Sequence, residues 1–205
     1  MKKAIFENQL IEEVMKPYIT IDNRKIGPDY RPYVIAELSA NHNGDIKRAY
    51  QIMEEAKKAG ADAIKLQTYT HDTITMDCDS EEFQISDGLW EGQTLYELYK
   101  GAHMPWEWHK PLFEKARELG ITIFSSPFDF TAVELLEQLD APAYKIASFE
   151  ISDYELIRYT ASKMKPVIIS TWQSIYKQPK KWFEDIGMVV GDEAHLFKAV
   201  SLTKI

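Results

Sequence analysis

Short apolar runs alternate with amphipathic stretches along the chain from Tyr33 onward. The apolar runs have the length of strands that are buried on both faces, and the stretches between them repeat apolar residues at helical spacing. We therefore predict strands over residues 33–38, 63–67, 122–124, 143–146, 167–169 and, from a weaker pattern, 195–200. The helices predicted between them span residues 47–58, 105–119, 130–138, 153–162 and 179–186.

Glycines and one short polar turn mark the ends of several elements. Gly60 and Gly120 each follow a predicted helix and lead directly into the next strand, as expected at a helix C-terminus. Before the alternation begins, Asp22 and Asn23 separate two short runs, which predicts a β-hairpin. We interpret residues 1–32 as an N-terminal hairpin or cap and residues 33–205 as the main domain.

Repeated strand–helix units form a parallel sheet, which is either an open doubly wound sheet or a closed (β/α)8 barrel of the TIM type. Residues 39–45 follow the first main-domain strand and read Ser-Ala-Asn-His-Asn-Gly-Asp, so the glycine-rich turn of dinucleotide-binding sheets is missing. Polar residues instead follow nearly every strand, including Ser125 and Ser126, as they do around a barrel mouth. We predict an α/β fold, an incomplete TIM barrel with five or six units, because a complete one needs about 250 residues.

A long insertion separates the strand at 63–67 from the helix at 105–119. Residues 68–101 are acidic and aromatic, and loops of this length in compact domains are commonly functional. A lid over the strand ends and a packing flap at the barrel rim both agree with this composition.

Two lysines interrupt apolar strands at corresponding places. Lys65 follows Ala-Ile and Lys145 follows Ala-Tyr, where an unpaired ammonium group is costly to bury. Either each lysine pairs with a carboxylate such as Glu37 or Glu150, or the two lysines together bind a polyanion, with serine hydroxyls as further donors. We favour the polyanion, a phosphate or a carboxylate ligand. Glu37 and Glu150 also lie at strand ends, where burial can tune a carboxyl group for proton transfer.

The loop after the first main-domain strand holds Asn41 and His42. These residues either orient a substrate or only form the turn before a helix that Asp45 caps. No pair of histidines in the sequence has the spacing of a closed metal site, so the residue pattern alone predicts no metal centre.

Composition narrows the functional classes. The 205 residues include 24 basic and 32 acidic side chains, for a formal charge of -8, which argues against a basic surface for nucleic acid. Cys78 is the only cysteine, and no run approaches the roughly 20 apolar residues that cross a bilayer. We therefore expect a cytoplasmic protein that binds neither nucleic acid nor membrane. The negative charge does not exclude an anionic small molecule, because lysines in a cleft act locally.

Several ordered motifs resemble one enzyme family. They are AELSANHNGD at 36–45, AIKLQTYT at 63–70, SSPFD at 125–129, YKIASFEI at 144–151 and PVIIST at 166–171. Together they resemble the sialic acid synthase family, and the segments LWEGQTLYELY and PWEWHKPLF are most similar to its pseudaminic acid synthase branch.

The resemblance implies a barrel that condenses phosphoenolpyruvate with the open-chain aldehyde of an N-acetylated amino sugar and releases phosphate. In the pseudaminic branch the sugar is a 2,4-diacetamido-2,4,6-trideoxy hexose, and the product is a nine-carbon 2-keto acid. In the N-acetylneuraminate branch the sugar is N-acetylmannosamine. The family uses a divalent metal, Mn²⁺ or Mg²⁺, which polarises the aldehyde.

Matching the motifs residue by residue implies a set of phosphoenolpyruvate contacts: Lys65, Gln67, Lys145, Ser148 and Ser170. Glu37 and Glu150 match carboxylates that transfer protons or position substrate, and Asn41 and His42 lie in the motif before the first helix. The family's two metal-binding histidines match positions beyond Ile205, so the resemblance implies no metal ligand within this chain.

The resemblance extends from Tyr33 to Thr171 and fades at Trp172. The family is homodimeric, and its C-terminal antifreeze-like domain, which supplies an arginine to the partner's sugar site, has no match in these residues. Two alternatives stay open. One is a remnant that only binds anions, and the other is an aldolase-type barrel in which Lys65 or Lys145 forms a Schiff base.

Overall fold

The computed structural model describes residues 18–27 and 29–169. Within them the strands are β1 (Ile19–Ile21), β2 (Arg24–Ile26), β3 (Ile35–Glu37), β4 (Ala63–Thr68), β5 (Thr122–Pro127), β6 (Tyr144–Ile146) and β7 (Val167–Ile169). The α-helices are α1 (Ile46–Lys58), α2 (His71–Ile74), α3 (Leu95–Ala102), α4 (His109–Leu119), α5 (Phe130–Gln138) and α6 (Tyr154–Ala161). The predicted helix at 179–186 and strand at 195–200 lie outside the described residues.

Strands β3 to β7 form one parallel sheet in which the strands stand in chain order. In its register Glu37 pairs with Lys65, and Gln67 pairs with Ser126. Sequential order is the arrangement of a barrel wall, whereas a doubly wound sheet reverses its order at a switch point. The topology of the described strands therefore favours the barrel architecture over the doubly wound sheet.

Helices cover one face of this sheet. Helices α1 and α4 are amphipathic, and they bury Met53, Leu112 and Phe113 among other apolar side chains. These side chains belong to one core with alternate residues of the strands, namely Ile64, Leu66, Ile123 and Tyr144. Each such burial stabilises the fold by about 1.5–3 kcal/mol. No helix in the part of the chain that the structure describes has the length and apolarity to span a bilayer.

The predicted helix at 105–119 begins later than expected. Pro105 is followed by a 3₁₀ turn at Trp106–Trp108, and the α-helix starts only at His109. Pro111 then falls in the first helical turn, where its missing N–H group breaks no helical hydrogen bond. The helix ends at Gly120, whose φ of 61° is the left-handed conformation that glycine adopts without steric cost.

The hairpin prediction is confirmed for strands β1 and β2. Asp22 and Asn23 have φ values of 48° and 64°, the left-handed pair that a two-residue type I′ turn requires. Ile21 and Ile26 are buried in one cluster with Phe124 and other residues on the concave face of the sheet. The hairpin therefore packs onto the main domain, and the boundary at residue 32 stays a prediction.

The insertion at 68–101 contains α2, a 3₁₀ turn at Glu81–Phe83 and most of α3, and irregular backbone joins them. Tyr99 of α3 lies edge-on to Tyr69 with ring centroids 5.7 Å apart, and Tyr69 packs in the same way on Phe128 at 5.2 Å. Tyr69 and Phe128 follow β4 and β5 directly. The described residues thus include a packed flap at the strand ends, and its function as a lid stays a prediction.

Candidate active site

The concave face of the sheet carries most of the predicted site. Ile64 and Leu66 of β4 belong to the helix-side core, and strand side chains alternate between faces, so Lys65 and Gln67 face the concave side. Matching positions of the neighbouring strands hold polar residues as well. We call this set the ion layer, and its members are Glu37, Lys65, Gln67, Ser126 and Lys145.

Apolar side chains adjoin the ion layer toward both ends of the strands. Toward the N-terminal ends, Ile21 and Ile26 of the hairpin form a cluster with Phe124. Toward the C-terminal ends, the buried cluster contains Tyr69 and Phe128, whose positions continue the alternation of Gln67 and Ser126. These two apolar clusters limit the access of water to the ion layer that lies between them. Electrostatic interactions within the ion layer are therefore stronger than at the protein surface.

Lys65 forms an ion pair with Glu37. The lysine side chain is 0% exposed and the carboxylate 18%, and the Ser39 hydroxyl donates a further hydrogen bond to Glu37 at 3.1 Å. One alternative from the sequence, a lysine paired with a carboxylate, is therefore realised at Lys65. The pairing also fixes the position of the Lys65 ammonium group within the ion layer.

Glu150 lies in the 3₁₀ turn Phe149–Ser152 that follows β6. Burial raises the pKa of its carboxyl group to about 7, and the nearby charge of Lys145, which is itself 3% exposed, opposes that rise. The atom Oε2 of Glu150 is buried and has no hydrogen-bond partner among the described residues. A carboxyl group with this pKa can both donate and accept a proton near neutral pH.

The other residues predicted to contact phosphoenolpyruvate differ in how far they are buried. Gln67 is half-buried within the ion layer, whereas Ser148 is exposed just after β6. Ser170 lies outside the described residues. Ser126 was not among the predicted site residues, yet its hydroxyl is buried and unpartnered within the part of the chain that the structure describes. The alternation that selects Gln67 on β4 also selects Ser126 on β5, so the sequence held this signal.

Asn41 and His42 belong to the 3₁₀ turn Ser39–His42. The Asn41 amide donates to the Leu38 carbonyl at 3.1 Å, and Nδ1 of His42 accepts from the Gly44 amide, also at 3.1 Å. His42 is buried edge-on to Trp108 at 5.3 Å, and burial lowers its pKa. These bonds give both residues a role in the turn, and their contact with a substrate stays a prediction.

The family resemblance implies a divalent metal, so the described residues were tested for a site. Across residues 18–27 and 29–169, no group of three or more histidine, cysteine, aspartate or glutamate side chains could hold a metal ion. The ion layer supplies two ammonium groups and one carboxylate, a set that suits an anion better than a cation. The residues that the structure describes therefore do not fit the metal.

Comparison with curated proteins finds pseudaminic acid synthases among the relatives of this chain. The chain is 52% identical over 143 residues to pseudaminic acid synthase of Campylobacter jejuni, which covers 70% of this chain and 42% of that protein. It is 51% identical over 140 residues to the pseudaminic acid synthase of Helicobacter pylori, covering 68% and 41%. This chain thus spans about two fifths of the length of these curated relatives.

Comparison with solved structures identifies the fold of this chain. The N-acetylneuraminic acid synthetase of Leptospira borgpetersenii, solved with citrate, matches with a TM-score of 0.64 and 28% identity over 77% of this chain and 52% of that one. The spore coat polysaccharide biosynthesis protein SpsE of Bacillus subtilis matches with a TM-score of 0.59 and 32% identity over 75% and 40%. With these neighbours, the parallel sheet is a partial barrel of the TIM type, as predicted.

A family model described as the NeuB family matches residues 52–201. The match continues past Thr171, the residue at which the motif resemblance fades. The order of the parallel strands, the identities above 50% and this family match agree with one another. The chain belongs to the NeuB family.

Proposed function

We propose that this chain provides the phosphoenolpyruvate-binding part of a synthase that joins this donor to the open-chain aldehyde of an N-acetylated amino sugar. The ion layer is the observation that carries the proposal. Lys65 of β4 and Lys145 of β6 are 0% and 3% exposed, and both belong to the ion layer on one face of the sheet. Two ammonium groups held away from water suit the phosphate and carboxylate of this donor.

In the proposed reaction, carbon 3 of phosphoenolpyruvate attacks the aldehyde carbon and forms the new carbon–carbon bond. The aldehyde oxygen takes up a proton and becomes a hydroxyl group. Water adds to carbon 2 and loses one proton. The bond from carbon 2 to the phosphate oxygen then breaks while the new hydroxyl group passes its remaining proton to the departing phosphate, which leaves the 2-keto acid.

The residues of the ion layer have separate tasks in this proposal. Lys65 and Lys145 bind the donor's negative charges, and the Ser126 hydroxyl, buried without a partner in the described residues, donates a hydrogen bond to the same ligand. Glu37 holds the Lys65 ammonium group in place before the donor arrives. Glu150 moves the proton, because burial raises its pKa to about 7.

The sugar is proposed from the relatives. Identity is above 50% to two pseudaminic acid synthases, 37% to N,N'-diacetyllegionaminic acid synthase of Legionella pneumophila and 31% to N-acetylneuraminate-9-phosphate synthase of the mouse. We therefore propose a 2,4-diacetamido-2,4,6-trideoxy hexose as acceptor, ahead of N-acetylmannosamine. A homodimer, which the resemblance implies, and a cytoplasmic location, which the composition predicts, belong to the same proposal.

Calorimetric titration of the purified chain with phosphoenolpyruvate tests donor binding. We expect saturable binding that is lost in Lys145→Ala. The matched control is Lys58→Ala, which removes the same charge from an exposed side chain that pairs with Glu55 on α1. Equal loss in both variants would mean that binding follows net charge, and no binding to the wild-type chain would refute the donor site.

Phosphate release in the presence of Mn²⁺ tests the acceptor. The full chain is incubated with phosphoenolpyruvate and either the diacetamido trideoxy hexose or N-acetylmannosamine. Faster release with the first sugar supports the pseudaminic branch, and faster release with the second favours N-acetylneuraminate synthesis. Donor binding without release with either sugar would identify an anion-binding chain that does not complete the reaction alone.

A further inference from the structure

A second buried polar cluster lies behind the ion layer, on the side of the sheet that the helices cover. It consists of Thr68 on β4, Ser125 on β5 and His109 at the start of α4. The Thr68 hydroxyl lies 2.9 Å from Nε2 of His109 and 2.6 Å from the Ser125 hydroxyl. All three side chains are 0% exposed. We call this set the buried triad.

The hydrogen bonds of the buried triad can run in only one direction. Nδ1 of His109 lies 3.2 Å from the Trp106 carbonyl, which can only accept, so Nδ1 carries the proton of the neutral ring. Burial lowers the pKa of His109 to about 4, which keeps the ring neutral. Nε2 therefore accepts from the Thr68 hydroxyl, and the Thr68 oxygen accepts from Ser125. Because each hydroxyl group in this chain must point at a particular acceptor, the hydrogen bonds restrict the rotamers of the three side chains.

The buried triad is directly continuous with the ion layer along the backbone. Thr68 follows Gln67, and Ser125 precedes Ser126. Gln67 and Ser126 are register partners across β4 and β5, and their side chains face the concave side. Any shift of Thr68 or Ser125 on the helix side therefore moves Gln67 or Ser126 on the other side.

We propose that Thr68, Ser125 and His109 are positioning residues that hold Gln67 and Ser126 in place for the anionic donor. The inference rests on the proposed function, because it assigns the donor to the ion layer. The side chains of the buried triad face away from the donor and act only through the strands. Their hydrogen bonds fix the ends of β4 and β5 against the first turn of α4.

Thr68→Val is the sharpest test, because valine has the shape of threonine and lacks the hydroxyl group. We expect the dissociation constant for phosphoenolpyruvate, measured by calorimetry on the full chain, to rise about 10-fold, as for other supporting residues behind a binding site. Thr68→Ser restores the hydroxyl and should bind within about 2-fold of wild type, since the hydrogen bond is the feature that matters.

Thr160→Val is the matched control. Thr160 is equally buried and its hydroxyl donates to the Leu156 carbonyl at 2.8 Å within α6, away from the ion layer. The Thr160→Val substitution makes the same chemical change at a buried threonine as Thr68→Val does. We expect it to leave the affinity for phosphoenolpyruvate unchanged. Urea unfolding of both valine variants shows whether they lose comparable stability.

His109→Gln and His109→Leu provide a second pair that does not depend on Thr68→Val folding well. The glutamine oxygen can accept from Thr68 as Nε2 does, whereas leucine cannot. We expect the glutamine variant to bind phosphoenolpyruvate more tightly than the leucine variant by about 5-fold or more.

The outcomes separate the inference from the proposed function. Wild-type affinity in Thr68→Val overturns the positioning role and leaves the donor site intact. Equal weakening in Thr68→Val and Thr160→Val also overturns it, because the effect would then follow general stability. A wild-type chain that does not bind phosphoenolpyruvate overturns the donor site and the positioning role together.

Discussion

Replacing Glu150 with glutamine removes a buried carboxyl group whose charge opposes folding near neutral pH. Burial raises the pKa of this group from 4.5 to about 7, although the nearby charge of Lys145 favours the ionised form. Glutamine keeps the shape of the side chain and cannot ionise. The substitution should therefore stabilise the fold wherever the native carboxyl group would be charged.

The size and sign of this effect follow from linkage between proton binding and folding. The two pKa values differ by about 2.5, and each whole pKa step corresponds to 1.36 kcal/mol, which gives an upper limit of about 3 kcal/mol. Glu150 keeps part of its surface in water, so we expect about 2 kcal/mol. Because the native pKa is raised, the native state binds the proton more tightly. This contribution is complete below pH 4.5 and is lost as the pH rises through 7.

Urea unfolding of wild type and Glu150→Gln at several pH values between 4.5 and 8 measures the difference directly. We expect similar free energies of unfolding at the acid end and a variant more stable by about 2 kcal/mol at pH 8. Glu155→Gln is the matched control, because Glu155 is an exposed carboxylate on α6 paired with Arg158. If Glu150→Gln follows Glu155→Gln at every pH, the carboxyl group of Glu150 is not held in a water-poor site and the reasoning fails.

Three further substitutions test local features of the fold by urea unfolding. Asp129→Ala removes the N-cap of α5, which accepts from the Thr131 amide at 2.6 Å, and should lower the free energy of unfolding by about 1–2 kcal/mol, with Asp129→Asn closer to wild type. Thr94→Ala breaks the capping box with Glu97 and should cost about 1 kcal/mol, while Thr94→Ser should not. Asp62→Ala leaves the Val34 amide, now bonded at 2.8 Å, without its acceptor and should cost about 1–3 kcal/mol; a loss below 0.5 kcal/mol would contradict that role.

Much of the fold could be predicted because the residues that end helices and form turns lie where the folded sheet requires those ends and turns. Gly60 and Gly120 end their helices with positive φ values, and the turn at Asp22 and Asn23 forms the hairpin as expected. The start of α4 was misplaced because Pro105 and Pro111 are both tolerated near a helix N-terminus, and propensity does not distinguish a 3₁₀ turn from the first α-helical turn. Tertiary packing of the three residues after Pro105 decides that boundary.

The candidate site was predictable only in part. Lys65 and Lys145 stand out because they interrupt apolar strands, and an exposed loop residue gives no such contrast. Ser126 differs from Ser125 only in which face of β5 it occupies, so choosing between them requires the register of the strand. His109 is separated from Thr68 by 41 positions, and no spacing rule connects them. Their hydrogen bond exists because α4 packs on β4, which only the folded chain reveals.

Under the proposed function, the two interpretations of the buried lysines, pairing with a carboxylate and binding an anion, would apply to the same residues before and after the donor binds. Lys65 pairs with Glu37, while Lys145 lies near a carboxyl group, that of Glu150, whose raised pKa keeps it about half protonated at neutral pH. Protonation of Glu150 removes one negative charge near Lys145, so a bound anion would meet less repulsion there. A bound anion in turn favours the protonated form of Glu150, since like charges in a water-poor site repel. Under the proposed function, donor binding and proton retention by Glu150 would therefore support each other, and the proton would be available to the aldehyde oxygen.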